Sequence, residues 1–426
     1  MLSQCGPAIR CAPSRGSRTD PAMNAQRWNI VRRLLFLLLI GVGVAFAARK
    51  VAPPPPPPAV EAAPTTPPPP KAPPLFQGGL PIAAQQVPPG LPSLSAQGCN
   101  ACHGEIHDAW AESAHAGAWN AEAFRAALDR VGDTTACTGC HLPLANQHPR
   151  LAAGYIEGDV ARPDMQPNPA WDATLMSEGV TCAACHVRDG AVVANRTGAA
   201  GPHPITVSDE LGTSELCATC HQLTWPGADP PFYDTYGEWK ASAYAQAGVG
   251  CKDCHMPPVA GRATATRFAA MADHSFPADT ARALSILVRT DAPEAQRGSP
   301  LHVAVRLQNT GAGHSVPTGS PFKAYRVVVG ILDADGTAAV SPYSEDLART
   351  VQDAPPWNTL TDTRLPAGGE RLIEHDFTID QRKHAGRGTL LVAIYRLDAK
   401  DLANPRWSPD KAGPPLARQQ IPLPIL

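Results

Sequence analysis

One five-residue pattern, repeated five times between residues 99 and 255, limits what this chain can become more than any other feature. It reads Cys99-x-x-Cys102-His103, Cys137-x-x-Cys140-His141, Cys182-x-x-Cys185-His186, Cys217-x-x-Cys220-His221 and Cys251-x-x-Cys254-His255. Two thiols three positions apart lie on one face of a helical turn. From there they reach the two vinyl groups along one edge of a porphyrin, and the histidine after them is placed to meet the iron. C-x-x-C-H is the attachment pattern for c-type haem. Zinc ribbons and iron–sulfur clusters also use paired cysteines, but neither needs His directly after each second one. A thioredoxin-like pair occurs singly, in a βαβ context that is missing here. Every C-x-x-C in the chain carries its His, so the sequence predicts five covalently attached c-type haems.

The motifs use ten of the twelve cysteines. Cys5 and Cys11 remain, both near the N-terminus, so no cysteines are left for a disulfide scaffold. A formal net charge of −2 gives no argument for nucleic acid or an anionic membrane surface as partner, and no nucleic-acid partner is expected. The stretch between residues 95 and 280 is poor in large apolar side chains and would make a thin core by itself. Five porphyrins supply the missing apolar bulk. A loop-rich, mainly α domain of short helices wrapped around packed haems is expected, unstable without them.

In chain order, residues 1–29 read as a leader, or as sequence upstream of a true start at Met23. Residues 30–50 hold Arg32 and Arg33, then an apolar run from Leu34 to Ala48 with small residues at its end. A positive flank, a short apolar core and an A-x-A-like end describe a secretory signal peptide. At fifteen residues the run is shorter than the roughly 20 needed to cross a bilayer. With Ile30 and Val31 added, an uncleaved inner-membrane anchor is the alternative. Either way the rest of the chain is expected in the periplasm. Residues 51–95 include Pro53–Pro58 and Pro67–Pro70, a semi-rigid polyproline spacer. The haem domain is placed at 96–280, with helices expected over Glu105–Leu128 and Asp234–Gln246. From 281 to 426 alternating apolar runs take over: Ala283–Val288, Leu301–Leu307, Tyr325–Leu332, Arg371–Ile379 and Thr389–Arg396. Turn signals between them predict an all-β, immunoglobulin-like sandwich.

Five motif histidines leave nine of the fourteen for other work. Imidazole is the usual second axial ligand where iron must cycle electrons without changing coordination. His115 lies in Trp110-x-x-Ser113-x-His115, with neighbours to orient its second nitrogen. His203 sits in the rigid loop Gly201-Pro202-His203-Pro204, and His274 closes the haem domain. His314 lies in a Gly- and Pro-rich loop between two strands, long enough to reach from its sheet to a haem. The fifth partner is either His107 or no residue, which would leave one haem open. His148 comes closely after the second motif, and His302, His375 and His384 read as β-domain surface.

The combination of C-x-x-C-H with Trp110-x-x-Ser113-x-His115, Gly179-Val180-Thr181-Cys182 and Glu238-Trp239-Lys240-x-Ser242 resembles the multihaem cytochrome c family typified by cytochrome c554. The resemblance covers about 96–280. Gly313-His314-x-x-Pro317-Thr318-Gly319 resembles loops in β-domains attached to related multihaem cytochromes. The resemblance implies closely packed, mostly bis-His haems that pass electrons. Five motifs and a β-extension depart from the tetrahaem type, so ligand pairing does not carry over. Pentahaem nitrite reductases share the haem count, but the C-x-x-C-K motif they use is absent. An electron carrier meeting donor and acceptor proteins is therefore expected. An oxidoreductase with one open haem for a small nitrogen or sulfur compound is its rival, and an oligomeric, assembling haem protein a third class.

Overall fold

The computed structural model describes residues 80–131, 135–158, 162–196, 201–225, 227–402 and 404–426. The leader, the apolar run and most of the Pro-rich stretch lie outside the described residues. Among the described residues no helix is long and apolar enough to cross a membrane. They all belong to one compact unit, Ala72–Leu426.

The end of the stretch read as spacer is packed. Ile82 donates to Pro143 O and accepts from Ala145, Leu94 is 5% exposed, and both border a small cluster with Leu144, Leu175, Ala183, Ala184 and Val187. That cluster is nearly all the apolar core this half contains. The mainly α expectation needs correction. Helices are short and alternate with small β elements: the hairpins Arg150–Tyr155/Pro163–Pro167 and Pro258–Thr264/Arg267–Ala272, and three strands at Val187–Arg188, Ala191–Ala194 and Ile205–Val207. The helix expected over Glu105–Leu128 is two, Gly104–Ala111 and Glu122–Val131. Between them the backbone turns, with the Ser113 hydroxyl accepting from Ala116 N–H and freeing carbonyls for other partners. Asp234–Gln246 likewise splits into Thr235–Lys240 and Ala243–Gln246, the second capped by Ser242.

The C-terminal half is β-rich, as its alternating runs require. A four-stranded antiparallel sheet runs Tyr343–Leu347, Ala324–Leu332, Thr389–Leu397, Ala417–Pro422. A three-stranded sheet runs Glu370–Thr378, Pro300–Asn309, Leu284–Thr290. Period-two alternation points Leu301, Val303, Val305 and Leu307 inward, where they join Val327, Val329 and Ile331 of the other sheet in one core. The central strand Ala324–Leu332 is apolar on both faces because Val328 meets a second cluster with Ala393, Tyr395 and Trp407. Two sheets around one core make an antiparallel sandwich; strand order alone does not single out immunoglobulin connectivity.

The C-terminal half meets the N-terminal half through aromatic and polar contacts: Trp357 packs on Trp225 (4.6 Å) and Phe232 (5.1 Å). Arg349, 2% exposed, donates to the carbonyls of Pro231 (2.8 Å), Phe232 (3.3 Å) and Pro230 (3.3 Å). Tyr244 Oη donates to Thr310 O at 2.7 Å.

Candidate haem-binding sites

Each C-x-x-C-H lies on or at the end of a short helix: Ala96–Asn100, Thr135–His141, Cys182–His186, Ser214–His221 and Cys251–His255. Each helix does little besides present its two thiols and its histidine. Four of the five motif histidines have another histidine opposite. The ring centres of His103 and His203 are 6.4 Å apart. Those of His221 and His115, of His186 and His274, and of His255 and His314 are each 6.2 Å apart. Two imidazoles on opposite sides of one metal, each bonded at about 2 Å, leave their ring centres roughly 6 Å apart. The spacing fits a six-coordinate iron between each pair.

The second ring nitrogens support the same fit. Nδ1 of His103, His141, His186 and His255 lies 2.7, 2.6, 2.9 and 2.8 Å from the carbonyls of Ala263, Ala118, Val193 and Pro277. Nδ1 of His274 and His314 is likewise 2.8 Å from Ala272 O and 2.9 Å from Ser315 O. A carbonyl can only accept, so Nδ1 carries the proton and Nε2 keeps its lone pair for a metal. Burial disfavours the charged form of several of the rings. The His115 pKa is lowered to about 4, by burial first and then by His221 and His255 nearby. Burial also lowers those of His141, His186, His221, His274 and His314. Nδ1 of His203 is buried without a hydrogen-bond partner, the exception among the paired rings with a buried nitrogen.

His141 differs. The ring stacked on it is Phe124, at 3.5 Å and 8°, and no histidine faces it among the described residues. All fourteen histidines are described, and the other five are engaged elsewhere. His107 lies against Trp110 at 5.6 Å, with Nδ1 3.3 Å from Asp108. His148 turns Nε2 to Leu142 O at 2.6 Å. His302 pairs with Asp376 at 2.8 Å, His375 stacks on Tyr343 at 4.3 Å, and His384 is exposed. The structure thus brings His115, His203, His274 and His314 to motif histidines and leaves His107 beside Trp110.

The attachment thiols also meet one another, in an order the sequence does not reveal. Cys99 lies beside Cys182, Cys140 beside Cys220, and Cys217 beside Cys251. Nearby side chains reinforce two of these contacts. Glu178, before the third motif, accepts from the Ser95 hydroxyl, Ala96 N–H (3.0 Å) and the Thr181 hydroxyl (2.6 Å), tying the first motif to the third. Ser214 accepts from Cys251 N–H at 3.1 Å, tying the fourth to the fifth. Cys185 lies near both Cys217 and Cys220, which brings the third motif beside the fourth. Residues 110–120 serve three sites together. Trp110 Nε1 donates to Val180 O (2.9 Å) ahead of the third motif, His115 faces His221 of the fourth, and Ala118 O receives His141 of the second. Sequence reasoning missed Ala118, Phe124 and Phe276. Phe276 sits edge-on to His115 at 4.3 Å, and only its positive φ of 51° would have marked it.

Residues 98–157 match the sequence model of the family described as cytochrome c554 and c-prime. That match, together with the five C-x-x-C-H motifs, supports c-type haem as the cofactor. In fold it is similar to a penta-heme cytochrome c552 from Thermochromatium tepidum, at 19% identity and a TM-score of 0.54, over 77% of this chain and 98% of that one. A CARDB domain of a Pyrococcus furiosus protein aligns at 12% identity over 34% of this chain and 87% of its own, with a TM-score of 0.19. No curated protein matches it significantly.

Proposed function

We propose that this chain is a multihaem cytochrome, a periplasmic electron-transfer protein with five c-type haems, four of them held between two histidines. The observation that carries the reading is the set of four imidazole pairs at 6.2–6.4 Å. When bound, haem iron supplies a one-electron couple, at low potential where both ligands are imidazoles, because Met ligation is what raises it. The chain's own part is to fix ligand geometry. Backbone carbonyls set the tautomer, and the nearness of the motif cysteines supports an order with the first, third and fourth sites in series and the second and fifth beside the fourth. Cys102 and Cys254 are the exposed motif cysteines, which favours the first and fifth sites as those that donor and acceptor proteins reach. Periplasmic residence rests on the Arg-flanked apolar run, cleaved as a signal or kept as an anchor.

The second site favours a second reading. With Phe124 and no histidine near His141, an open iron there would give an oxidoreductase acting on a small nitrogen or sulfur compound. Haem counted per chain, together with an electron paramagnetic resonance spectrum of the oxidised protein, tests both readings. Five haems with four low-spin irons and one high-spin iron are expected. Fewer than five haems, or fewer than four low-spin centres, would overturn the proposal. Five low-spin centres would remove the open site, and a high-spin signal that shifts with nitrite, hydroxylamine or sulfite would favour the enzyme.

A further inference from the structure

We infer that Glu238 is a positioning residue for the fifth site, fixing the direction in which His314 points; this rests on the reading that His314 and His255 hold one haem. Glu238 belongs to Thr235–Lys240, the helix whose Trp239 donates through Nε1 to Val249 O (2.9 Å), just before the fifth motif. The same short segment therefore leads into His255 and faces the β-domain loop that carries His314.

The grip falls on a single peptide unit. Between His314 and Ser315, the carbonyl accepts from Asn309 Nδ2 at 2.8 Å and the N–H donates to Glu238 Oε2 at 3.0 Å. Asn309 is fully buried and also donates to Leu365 O and Pro366 O (both 3.1 Å), so it is itself immobile. A peptide plane held at both ends has no freedom left in its tilt, and that tilt sets where the His314 side chain leaves the backbone. Ser315 then closes the arrangement, because its carbonyl accepts from His314 Nδ1 at 2.9 Å and sets the ring's rotation. Asn309 comes from the β-domain and Glu238 from the haem domain, so the alignment exists only when the two are docked.

Glu238 is built to act as this acceptor. Its Oε2 also accepts from Thr318 Oγ1 at 2.7 Å, and its Oε1 meets Arg364 at 2.8 Å. The two side chains are 13% and 10% exposed. Arg364 is held in turn by Asp362. Every contact to the carboxylate comes from a donor. A carboxamide would have to turn its NH2 toward one of them, leaving two donors face to face. A salt bridge serving only to dock the domains would not need two of its three contacts on the ligand's loop.

The test uses the full-length, haem-loaded protein and reads spin state and ligand exchange. His314→Ala should convert one low-spin centre per chain to high-spin. Glu238→Gln should make that same centre about 10- to 100-fold easier for added imidazole or cyanide to occupy, the range typical of lost outer contacts to a ligand. Arg349→Met removes the contacts to Pro230, Pro231 and Phe232 but leaves the Tyr244–Thr310 bond and the Glu238–Arg364 pair holding the two halves together, so it should shift the centre far less than Glu238→Gln. An unaltered fifth site in Glu238→Gln, beside a lost low-spin centre in His314→Ala, overturns the role of Glu238 alone. An unaltered spectrum in His314→Ala overturns the ligand reading beneath it. An equal effect from Arg349→Met reduces Glu238 to a docking residue and likewise overturns the inference. Should Glu238→Gln fail to accumulate, Thr318→Val removes one donor and keeps the carboxylate; a smaller shift in the same direction supports the inference, and none overturns it.

Discussion

Replacing Gly179 with alanine puts the proposed His115–His221 pair under a defined load. Gly179 has φ +59°, and a Cβ there would lie 2.5 Å from His115 O, 2.7 Å from Ala116 O and 3.0 Å from Ala118 N. All three are backbone atoms, so no side chain can swing away. The left-handed conformation costs an alanine roughly 1–2 kcal/mol, and overpacking a tight contact adds about 1–3 kcal/mol. The combined loss is on the order of 2–5 kcal/mol, at roughly 2–4 °C in melting temperature per kcal/mol for a domain of this size. If the chain relieves the contact instead, residues 115–118 must retreat by several tenths of an ångström or more. That disturbs the 6.2 Å spacing between His115 and His221 on which two bonds of about 2 Å depend. Thioether attachment is untouched, so haem per chain should stay constant while one low-spin centre becomes high-spin. Because Ala118 O also receives His141, the second site should respond as well. Paramagnetic resonance, haem quantification and thermal melts on one preparation decide the matter. A Gly179→Ala protein with wild-type spectrum and melting temperature would refute the reasoning, since it would mean that the Gly179 contact does not hold His115.

Three further outcomes are expected. His203→Met should raise the midpoint potential of one centre, since thioether ligation raises haem potentials; potentiometry showing all centres unmoved would remove His203 from the first site. Residues 281–426 produced alone should melt cooperatively without haem, because their shared core is complete in itself. Haem-free residues 80–280 should show no such transition in calorimetry. Burial pushes the Asp362 carboxyl upward, but hydrogen bonds and charge from Arg364 outweigh it and hold the carboxyl below the usual range. Its folded value is therefore the lower one, so its stabilisation is complete above the usual aspartate range and fades as pH falls through the depressed value. Asp362→Asn should flatten the acid side of a melting-temperature profile; an unchanged profile would count against that pairing.

The candidate attachment residues stand out in the sequence because covalent haem chemistry demands a local pattern, two thiols and a histidine within five positions. The strands were nearly as clear: the runs at Leu301–Leu307 and Thr389–Arg396 lie within observed strands, since one buried face writes its alternation into the sequence. Ala417–Pro422 escaped because an edge strand reading Ala-Arg-Gln-Gln-Ile-Pro carries little apolar alternation. The helix expected over Glu105–Leu128 failed at Ala111 because the backbone beyond it is used by distant partners, which no periodicity records. His107 and His115 looked alike as histidines on one helix. Only the turn at Ser113 separates them, aiming one at His221 and leaving the other on Trp110. Which histidine faces which is a tertiary property, and so is the meeting of Cys99 with Cys182.

The two halves solve the stability problem differently, and the difference bears on how the fifth site is completed. The sandwich buries a continuous core from both sheets. The haem half relies on a handful of residues around Leu144 and Leu175, together with bonds from side chains and imidazoles to backbone carbonyls. Such bonds contribute only about 1 kcal/mol each, against an ordering cost of roughly 1–2 kcal/mol for every residue fixed. The haem half therefore needs the apolar faces of its cofactors to be stable, whereas the sandwich does not. Asn309 and the His314 loop thus take shape with the sandwich, while Glu238 reaches its place only when the segment before Cys251 is ordered. Completing the fifth site and docking the two domains are then one event. On the reading proposed for His314, a loop from the self-sufficient half supplies a ligand to the fifth site.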